Sequence, residues 1–546
     1  MNHHPRTLIL GLLLALSGPA SAQTMLDTTT SIGVQNTLNS VGTPGMPALN
    51  LPTTGGGTVG AVPATGAASV DSAATAPKPA VVVTPLTAPQ REALNNAHAA
   101  FRDGKYAVAR DAFEALTRQN YTNPEPHFGL ALALFALNND RGADFELRQF
   151  MALAPGSFEG PYNLGVLAAR SGNHDEALRL FTQAAGLMGA QASPTAARQV
   201  LEALAAEQTR KKDYAALSAT LARITALDPA DTSAAYRLAQ ARALAGQGTA
   251  ALPDLYALVA HDPANPAVPI LLADIYATQG LNDRALRELA SALPRMKSGT
   301  DRATLLLRRA RLLTGTGDTK NAVLAAQDAT REDSRSAEAF TLLGDLRAAR
   351  GDRPGAVNAY LNAVKLAPKD PAPRLALGTV RLALGSLAAA RNDAALVLRL
   401  NPEAALLARA EALQGVAAYR LGDYAAARAA LKSSALRAPN ADTSLWLGLS
   451  AYALGDYGAA VNALSESVKL NPTVTARQNL ASALLAVSRY AEAEAILRGL
   501  VSDDTRNAEA WYLLGLAQRS QGRDADARQA FKTAANLGHT KARGAL

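Results

Sequence analysis

Apolar and polar residues follow each other along residues 87–546 with the spacing of amphipathic helices, and the pattern repeats. The recurring signature is Leu-Gly or Leu-Ala followed seven residues later by Gly and five residues further on by Ala, as at Gly344, Gly351 and Ala356. The apolar spacing predicts two helices of about 12–14 residues in each repeat. A succession of such helix pairs predicts an all-α fold.

A small residue aligns the repeats, and we number it position 8. Position 20, twelve residues later, is Ala in every unit except the fourth, where it is Leu217. Small side chains at both positions let the two helices approach closely. Large apolar residues at positions 7 and 24, such as Leu343 and Tyr360, are expected to fill the space between units. Position 8 is Gly or Ala in thirteen units: Ala97, Ala131, Gly165, Ala205, Ala239, Ala273, Ala310, Gly344, Gly378, Gly415, Gly448, Ala481 and Gly515.

Glycine and proline predict where the helices end. Gly recurs near position 15, as at Gly351 and Gly422, where it supplies the left-handed residue after the first helix. Asp-Pro or Asn-Pro closes several units, as at Asp228-Pro229, because proline stops a helix.

Most units are 34 residues long, but three intervals are longer. The extra residues lie near 186–197, 294–302 and 403–407. We expect them to lengthen the turns between units, either as kinks of the stack or as tolerated surface insertions.

This pattern resembles the tetratricopeptide repeat family. The resemblance implies an all-α, right-handed superhelical solenoid of about thirteen stacked helix-turn-helix repeats spanning residues 87–546. It also implies that the first helices line a concave groove that binds peptides or partner domains, with positions 2, 5, 6, 9, 12 and 13 facing the groove. The sequence departs from the family pattern in two ways. Tryptophan occupies position 4 only in the last unit, at Trp511, and the fourth and seventh repeats are degenerate.

Composition fits thin, closely packed helices. Apolar residues make up 48% of the chain and aromatic residues only 5%, and most of the apolar residues are Ala and Leu. The chain has no cysteine, which excludes disulfides, thiolate catalysis and iron–sulfur clusters. Its net charge of +8 is spread over interspersed charges of both signs. This favours acidic partners or an anionic polymer weakly and is not typical of a nucleic-acid-binding protein.

The first residues have the features of a secretory signal peptide. Residues 1–22 contain Arg6, an apolar run from Leu8 to Leu16, and Ala20-Ser21-Ala22 before Gln23. The alternative is an uncleaved membrane anchor, for which the apolar run is too short. Because no other long apolar run follows, we expect no transmembrane segment after cleavage and a location in the periplasm or cell envelope, or outside the cell.

Residues 23–86 are rich in Thr, Ala, Gly, Pro, Ser and Val and show no helical periodicity. Such a segment buries too little apolar surface to fold, so it is predicted to be a disordered linker. The alternatives are a short binding segment around Met25–Val41 and a cell-wall spacer.

The sequence offers no catalytic or metal-binding motif. The histidines of the repeat region are scattered along it, without the spacing of metal ligands. No phosphate-binding loop and no nucleophile-elbow motif is present. We therefore expect no enzyme activity, no cofactor and no metal.

Two groups of residues are candidates for binding a partner through the groove. Aromatic residues near the C-terminus are the first group, because exposed aromatic side chains bury a large area at little entropic cost; alternatively, they pack between neighbouring units. Arginines of the middle repeats are the second group, because they can bind carboxylates or an acidic polymer; alternatively, they form a solvated surface. The aromatic group is Tyr419, Trp446, Tyr452 and Tyr512, and the basic group is Arg237, Arg308 and Arg311, with Arg295, Lys297, Arg302 and Arg309 nearby.

These observations predict an exported, non-catalytic scaffold of the cell envelope that binds unidentified protein partners through the concave face of the array. The alternative is a periplasmic component of an apparatus that secretes or assembles a polysaccharide or a protein. An enzyme with a helical-repeat catalytic domain is a third, less favoured hypothesis.

Overall fold

The computed structural model describes residues 82–189 and 192–546, which form α-helices joined by short turns. Within these ranges there are 27 α-helices and no β-strand, which confirms the predicted all-α class. None of these helices is both long enough and apolar enough to cross a membrane. The predicted signal peptide and all but the last residues of the predicted linker lie outside the described ranges.

The helices pair into thirteen hairpins, each with a first and a second helix, followed by the short helix α27 (Thr540–Arg543). The first helices are α1 (Ala88–Arg102), α3 (Pro124–Ala136), α5 (Glu159–Arg170), α7 (Pro194–Lys211), α9 (Thr232–Leu244), α11 (Ala267–Thr278), α13 (Gly299–Gly315), α15 (Ala337–Ala349), α17 (Pro371–Ala383), α19 (Ala404–Arg420), α21 (Ala441–Ala453), α23 (Val474–Ala486) and α25 (Ala508–Arg519). The second helices are α2 (Tyr106–Gln119), α4 (Asp140–Leu153), α6 (His174–Leu187), α8 (Tyr214–Leu227), α10 (Gly248–His261), α12 (Asn282–Ala292), α14 (Thr319–Glu332), α16 (Arg353–Leu366), α18 (Leu387–Arg399), α20 (Tyr424–Arg437), α22 (Tyr457–Leu470), α24 (Tyr490–Asp503) and α26 (Asp524–Asn536).

The described part of the chain divides into two compact units, with the division between Lys297 and Ser298. The first unit contains hairpins one to six, and the second contains hairpins seven to thirteen. In the second unit, each first helix contacts not only its own second helix but also the first helix of the next hairpin. The first helices of this unit therefore line up along one continuous face.

The small residue at position 8 allows the two helices of a hairpin to approach closely. A Cβ atom added at Gly344 would lie 2.6 Å from a ring carbon of Tyr360, which is residue 24 of the same hairpin. The same approach joins Gly515 to Phe531. Tyr360 also packs against Leu377 of the next hairpin, so residue 24 fills space within its own hairpin as well as between units.

A glycine and the acidic residue after it form the turn between the two helices of a hairpin. Gly422 has a φ of +85°, a backbone conformation that residues other than glycine adopt only at a cost in free energy. The next residue, Asp423, accepts a hydrogen bond from the backbone N–H of Ala426 and caps the second helix. The predicted role of glycine near position 15 is thereby confirmed.

All three longer intervals extend a first helix, which the prediction of longer turns missed. The turns before α7 and α13, residues 188–193 and 293–298, are also longer than the turn before α19, residues 400–403, so the prediction holds for these two. The helices α7, α13 and α19 have 18, 17 and 17 residues, against 13 in α17. Each of the three begins eleven residues before position 8, whereas α17 begins seven before it. The difference is about one helical turn, so most of each insertion is absorbed without disturbing the packing at position 8.

The chain just before α1 is held on the first two hairpins. The side-chain amides of Asn120 and Asn123 donate hydrogen bonds of 3.1 and 3.0 Å to the carbonyl oxygen of Thr84. Leu86 is buried in the same core as Leu94 and Phe101. The stack therefore begins a few residues before its first helix.

His98, at position 9 of α1, lies in an apolar environment. Its ring stands edge-on to Phe113 with the centroids 5.0 Å apart. Its Nε2 atom is buried and has no hydrogen-bond partner among the described residues. Burial, and secondarily the charge of Arg102, lower the pKa of His98 to about 4.

We expect Gly344→Ala to destabilise the second unit, because the added methyl group has to displace the Tyr360 ring. We expect the free energy of unfolding to fall by about 1–2 kcal/mol. This is the usual cost of overpacking, reduced by the gain from the better helix propensity of alanine. The measurement is the midpoint of urea unfolding. Gly458→Ala is the matched control, since no heavy atom lies within 4 Å of its added Cβ. An equal effect of both substitutions would contradict the packing described for position 8.

We also expect the first hairpins to lose stability as the pH falls from about 6.5 to about 4, because the unfolded chain binds a proton at His98 that the folded chain does not. The free energy of unfolding falls by at most about 3 kcal/mol over this pH range. Amide hydrogen exchange of α1 and α2, measured across this pH range, reports it. His98→Gln should flatten the dependence, and His261→Asn, at an exposed histidine, should not. A slope that persists in His98→Gln would rule out this origin.

Candidate functional site

A band of apolar side chains lies along the first helices of hairpins nine to eleven in the second unit. Positions 2, 6, 9 and 12 of a first helix share one side, because residues three or four apart are neighbours on a helix surface. On α17, α19 and α21 this side carries large apolar residues that are only partly buried. We refer to six of them as the aromatic surface: Leu382, Val416, Tyr419, Trp446, Leu449 and Tyr452.

Tyr419 and Trp446 form the centre of the aromatic surface. Their ring centroids are 5.1 Å apart in an edge-to-face arrangement that joins α19 to α21. Both rings pack against the buried side chains of Ala418, Ala427 and Leu431 and remain half-buried themselves. Burial raises the pKa of the Tyr419 hydroxyl above its usual value. The two rings are thus held in place while part of each stays open to solvent.

Tyr452 lies on α21, nearly two helical turns after Trp446, and is more exposed. Its side chain is 39% accessible and stands edge-on to Tyr457, with 5.1 Å between the centroids. The aromatic surface therefore extends from the Tyr419–Trp446 contact toward the turn between α21 and α22.

Tyr512 is not part of this surface. Its ring stacks on His539 with the centroids 4.3 Å apart, and it contacts Phe531 at 5.8 Å. His539 is in turn paired with Glu509, with 2.8 Å between Nε2 and Oε2. The sequence predicted Tyr512 as a partner-binding residue, whereas the structure places its ring in the packing of the last hairpin.

The predicted basic group is divided between the two units, and two of its members are engaged in ion pairs. Arg237, in the first unit, donates two hydrogen bonds of 3.0 and 2.9 Å to both oxygens of Glu202. The two side chains are only 10% and 13% exposed. Arg311, in the second unit, pairs with Glu338 of the next hairpin, and Arg308 lies half-buried one turn before it. Arg237 and Arg311 therefore hold neighbouring hairpins together.

The structure shows two arginines on the groove side of α19 that the sequence analysis did not single out. Arg409 and Arg420, at positions 2 and 13, are exposed. Arg420 donates a hydrogen bond of 2.8 Å to the carbonyl oxygen of Leu382 on α17. Neither arginine has a carboxylate partner within the described part of the chain. Their places in the repeat could have identified them, since positions 2 and 13 are among those that the family resemblance places in the groove.

A cleft of about 470 Å³ opens between the fifth and sixth hairpins of the first unit. The loop from α10 to α11 contains Pro263 and Pro266, and each disfavours a helical conformation at the residue before it, so α10 ends at His261. Tyr236, Arg237 and Asn265 contribute to the lining of the cleft. Because Glu202 already occupies the guanidinium group of Arg237, the cleft offers no unpaired positive charge from this residue.

The described residues contain no cluster of three His, Asp or Glu side chains placed to hold a metal ion. Chemically, the aromatic surface offers apolar contacts and edge-to-face partners for aromatic rings.

Comparison with protein families gives matches along most of the repeat region. A family model described as Tetratricopeptide repeat matches residues 94–143, 307–371, 412–474 and 479–542, and a second model with the same description matches residues 243–309. Together these ranges cover more than half of the chain. No curated protein matches the chain in sequence.

Solved structures resemble the chain at low sequence identity. The structure of Naa15/Naa10 bound to HypK-THB has a TM-score of 0.43 and 16% identity, covering 84% of this chain and 76% of that one. The APC/C hetero-tetramer Cut9-Hcn1 has a TM-score of 0.35 and 16% identity, with coverages of 73% and 97%. A tetratricopeptide repeat protein from Parabacteroides merdae has a TM-score of 0.34 and 19% identity, with coverages of 44% and 94%.

Proposed function

Because this chain belongs to the tetratricopeptide repeat family, we propose that it is a protein-interaction scaffold that binds a polypeptide segment along the aromatic surface. The contact between Tyr419 and Trp446 is the observation that carries this proposal. Partly open aromatic rings on a rigid support bury much area on binding and lose little conformational freedom, so they supply most of the affinity of many interfaces.

The neighbouring residues support the same function. Val416 and Leu449 flank the central pair on the same side of α19 and α21 and are half-buried. Around two aromatic anchors they supply the apolar contacts that exclude water from an interface. Apart from the phenol groups of its two tyrosines, the aromatic surface carries no acid–base group, so we propose a binding role without catalysis.

We further propose that the protein is exported and acts in the cell envelope. The support lies in residues 1–22, where Arg6 precedes an apolar run and small residues precede Gln23. In this proposal residues 23–81 tether the repeat region and set its reach.

A photo-crosslinking amino acid in place of Leu449 should capture one discrete polypeptide in living cells. The same amino acid in place of Leu361, which is 42% exposed on the second helix α16, is the matched control and should capture none. Adding Trp446→Ala to the Leu449 variant should lower the yield about tenfold or more, because the central anchor is lost. Circular dichroism checks that helicity is unchanged. Equal capture from both positions, or a yield that Trp446→Ala leaves intact, would refute the proposed site.

Deleting residues 1–22 should retain the protein in the cytoplasm, because the segment that directs export is lost. Cell fractionation measures the distribution, and the intact chain is the control, expected in the envelope or periplasmic fraction and shortened before Gln23. Export of the deleted chain, or an intact chain that stays in the cytoplasm, would contradict the proposed location.

A further inference from the structure

The net positive charge of the protein is confined to its second unit. Residues 298–546 contain 32 Lys and Arg against 23 Asp and Glu, whereas residues 82–297 contain 20 against 21. Many cations of the second unit are paired with carboxylates, as Arg391 is with Asp423. A partner that recognises this unit through charge therefore has to meet the arginines that lack such pairs.

Two such arginines stand on either side of the aromatic surface. Arg409 and Arg420 lie eleven residues apart on one side of α19, with Val416 and Tyr419 between them. At 1.5 Å per residue their Cα atoms are about 16 Å apart along the helix. Arg409 has no ion-pair or hydrogen-bond partner among the described residues, and Arg420 reaches only a backbone carbonyl.

The charges at the remaining groove positions are few. Across positions 2, 5, 6, 9, 12 and 13 of α17, α19, α21 and α23, the only other charged residue is Asp442, at position 2 of α21. It is exposed, and no cation is paired with it within the described part of the chain. The positive charges at these positions thus belong to α19, and apart from Asp442 the neighbouring helices present apolar and neutral side chains there.

We propose that the partner segment is acidic at two points and apolar between them. Its two carboxylates meet Arg409 and Arg420, and its apolar or aromatic side chains meet Val416, Tyr419 and Trp446. An extended peptide rises about 3.3 Å per residue, so a gap of about 16 Å corresponds to two acidic residues about five positions apart. An anionic polysaccharide would satisfy the arginines but would leave the aromatic surface without apolar contacts.

This inference rests on the proposed function, and a selection experiment separates the two. A display library of short random peptides is selected for binding to the full chain. We expect enriched peptides to carry two acidic residues about five positions apart, with large apolar residues between them. Binding of a selected peptide should weaken with added salt, since partly exposed charges are screened.

Single substitutions identify the contacts. Arg409→Glu should weaken binding of a selected peptide about tenfold, because an attractive charge becomes a repulsive one. Arg399→Glu, at an exposed arginine on the second helix α18, is the matched control and should change little. Asp442→Ala should strengthen binding. Arg420→Glu also removes the hydrogen bond to Leu382, so Arg409→Glu is the decisive variant.

The remaining outcomes distinguish a failure of the inference about charge from a failure of the proposed function. Enriched peptides without acidic residues, or binding that Arg409→Glu leaves unchanged, would refute the inference about charge while the aromatic surface still binds. Sulfated dextran that displaces the selected peptide equally well from the wild-type chain and from the Trp446→Ala variant would show that the groove recognises charge alone. A library from which no peptide is enriched would contradict the proposed function itself.

Discussion

The close contact between position 8 of the first helix and position 24 of the second determines how each hairpin is built. Gly415 and Gly448 show it as clearly as Gly344 does, since a Cβ atom added at either would lie 2.5 Å from the leucine sixteen residues on, Leu431 or Leu464. Two helices that approach this closely have little freedom to rotate about their axes, because their side chains interlock. The side of each first helix that faces away from its partner is therefore fixed as well.

The aromatic surface follows from this constraint. Because successive first helices of the second unit contact each other, residues on the same side of neighbouring first helices become neighbours in space. Tyr419 at position 12 and Trp446 at position 6 of the next hairpin meet in this way. In a repeat array each hairpin is stabilised mainly by its nearest neighbours, so such a surface can vary without altering the packing between helices.

Charges in the array have two different uses. Arg237 with Glu202, and Arg311 with Glu338, join one hairpin to the next, and their charges are largely neutralised. Arg409 and Arg420 have no carboxylate partner and lie beside apolar side chains. The distinction matters because a paired, half-buried arginine contributes to the structure, whereas an unpaired one on a binding face is available to an acidic ligand.

The sequence predicted much of the fold but less of the site. Small residues at positions 8 and 20 and glycine near position 15 identified the hairpins, because each satisfies a local requirement of backbone or packing. The longer helices α7, α13 and α19 were missed, because an extension of about one helical turn is too short to show helical periodicity of its own. The roles of Tyr512 and Arg237 depend on His539 and Glu202, which lie about one repeat away, so only the packing of neighbouring hairpins reveals them.

The central claim is that a partner polypeptide lies on the first helices of the second unit. A cryo-electron microscopy structure of the full chain with its captured partner tests it most directly. We expect partner density against Tyr419 and Trp446, with an acidic side chain beside Arg409. Density confined to the second helices, or to the cleft near Tyr236 in the first unit, would contradict it.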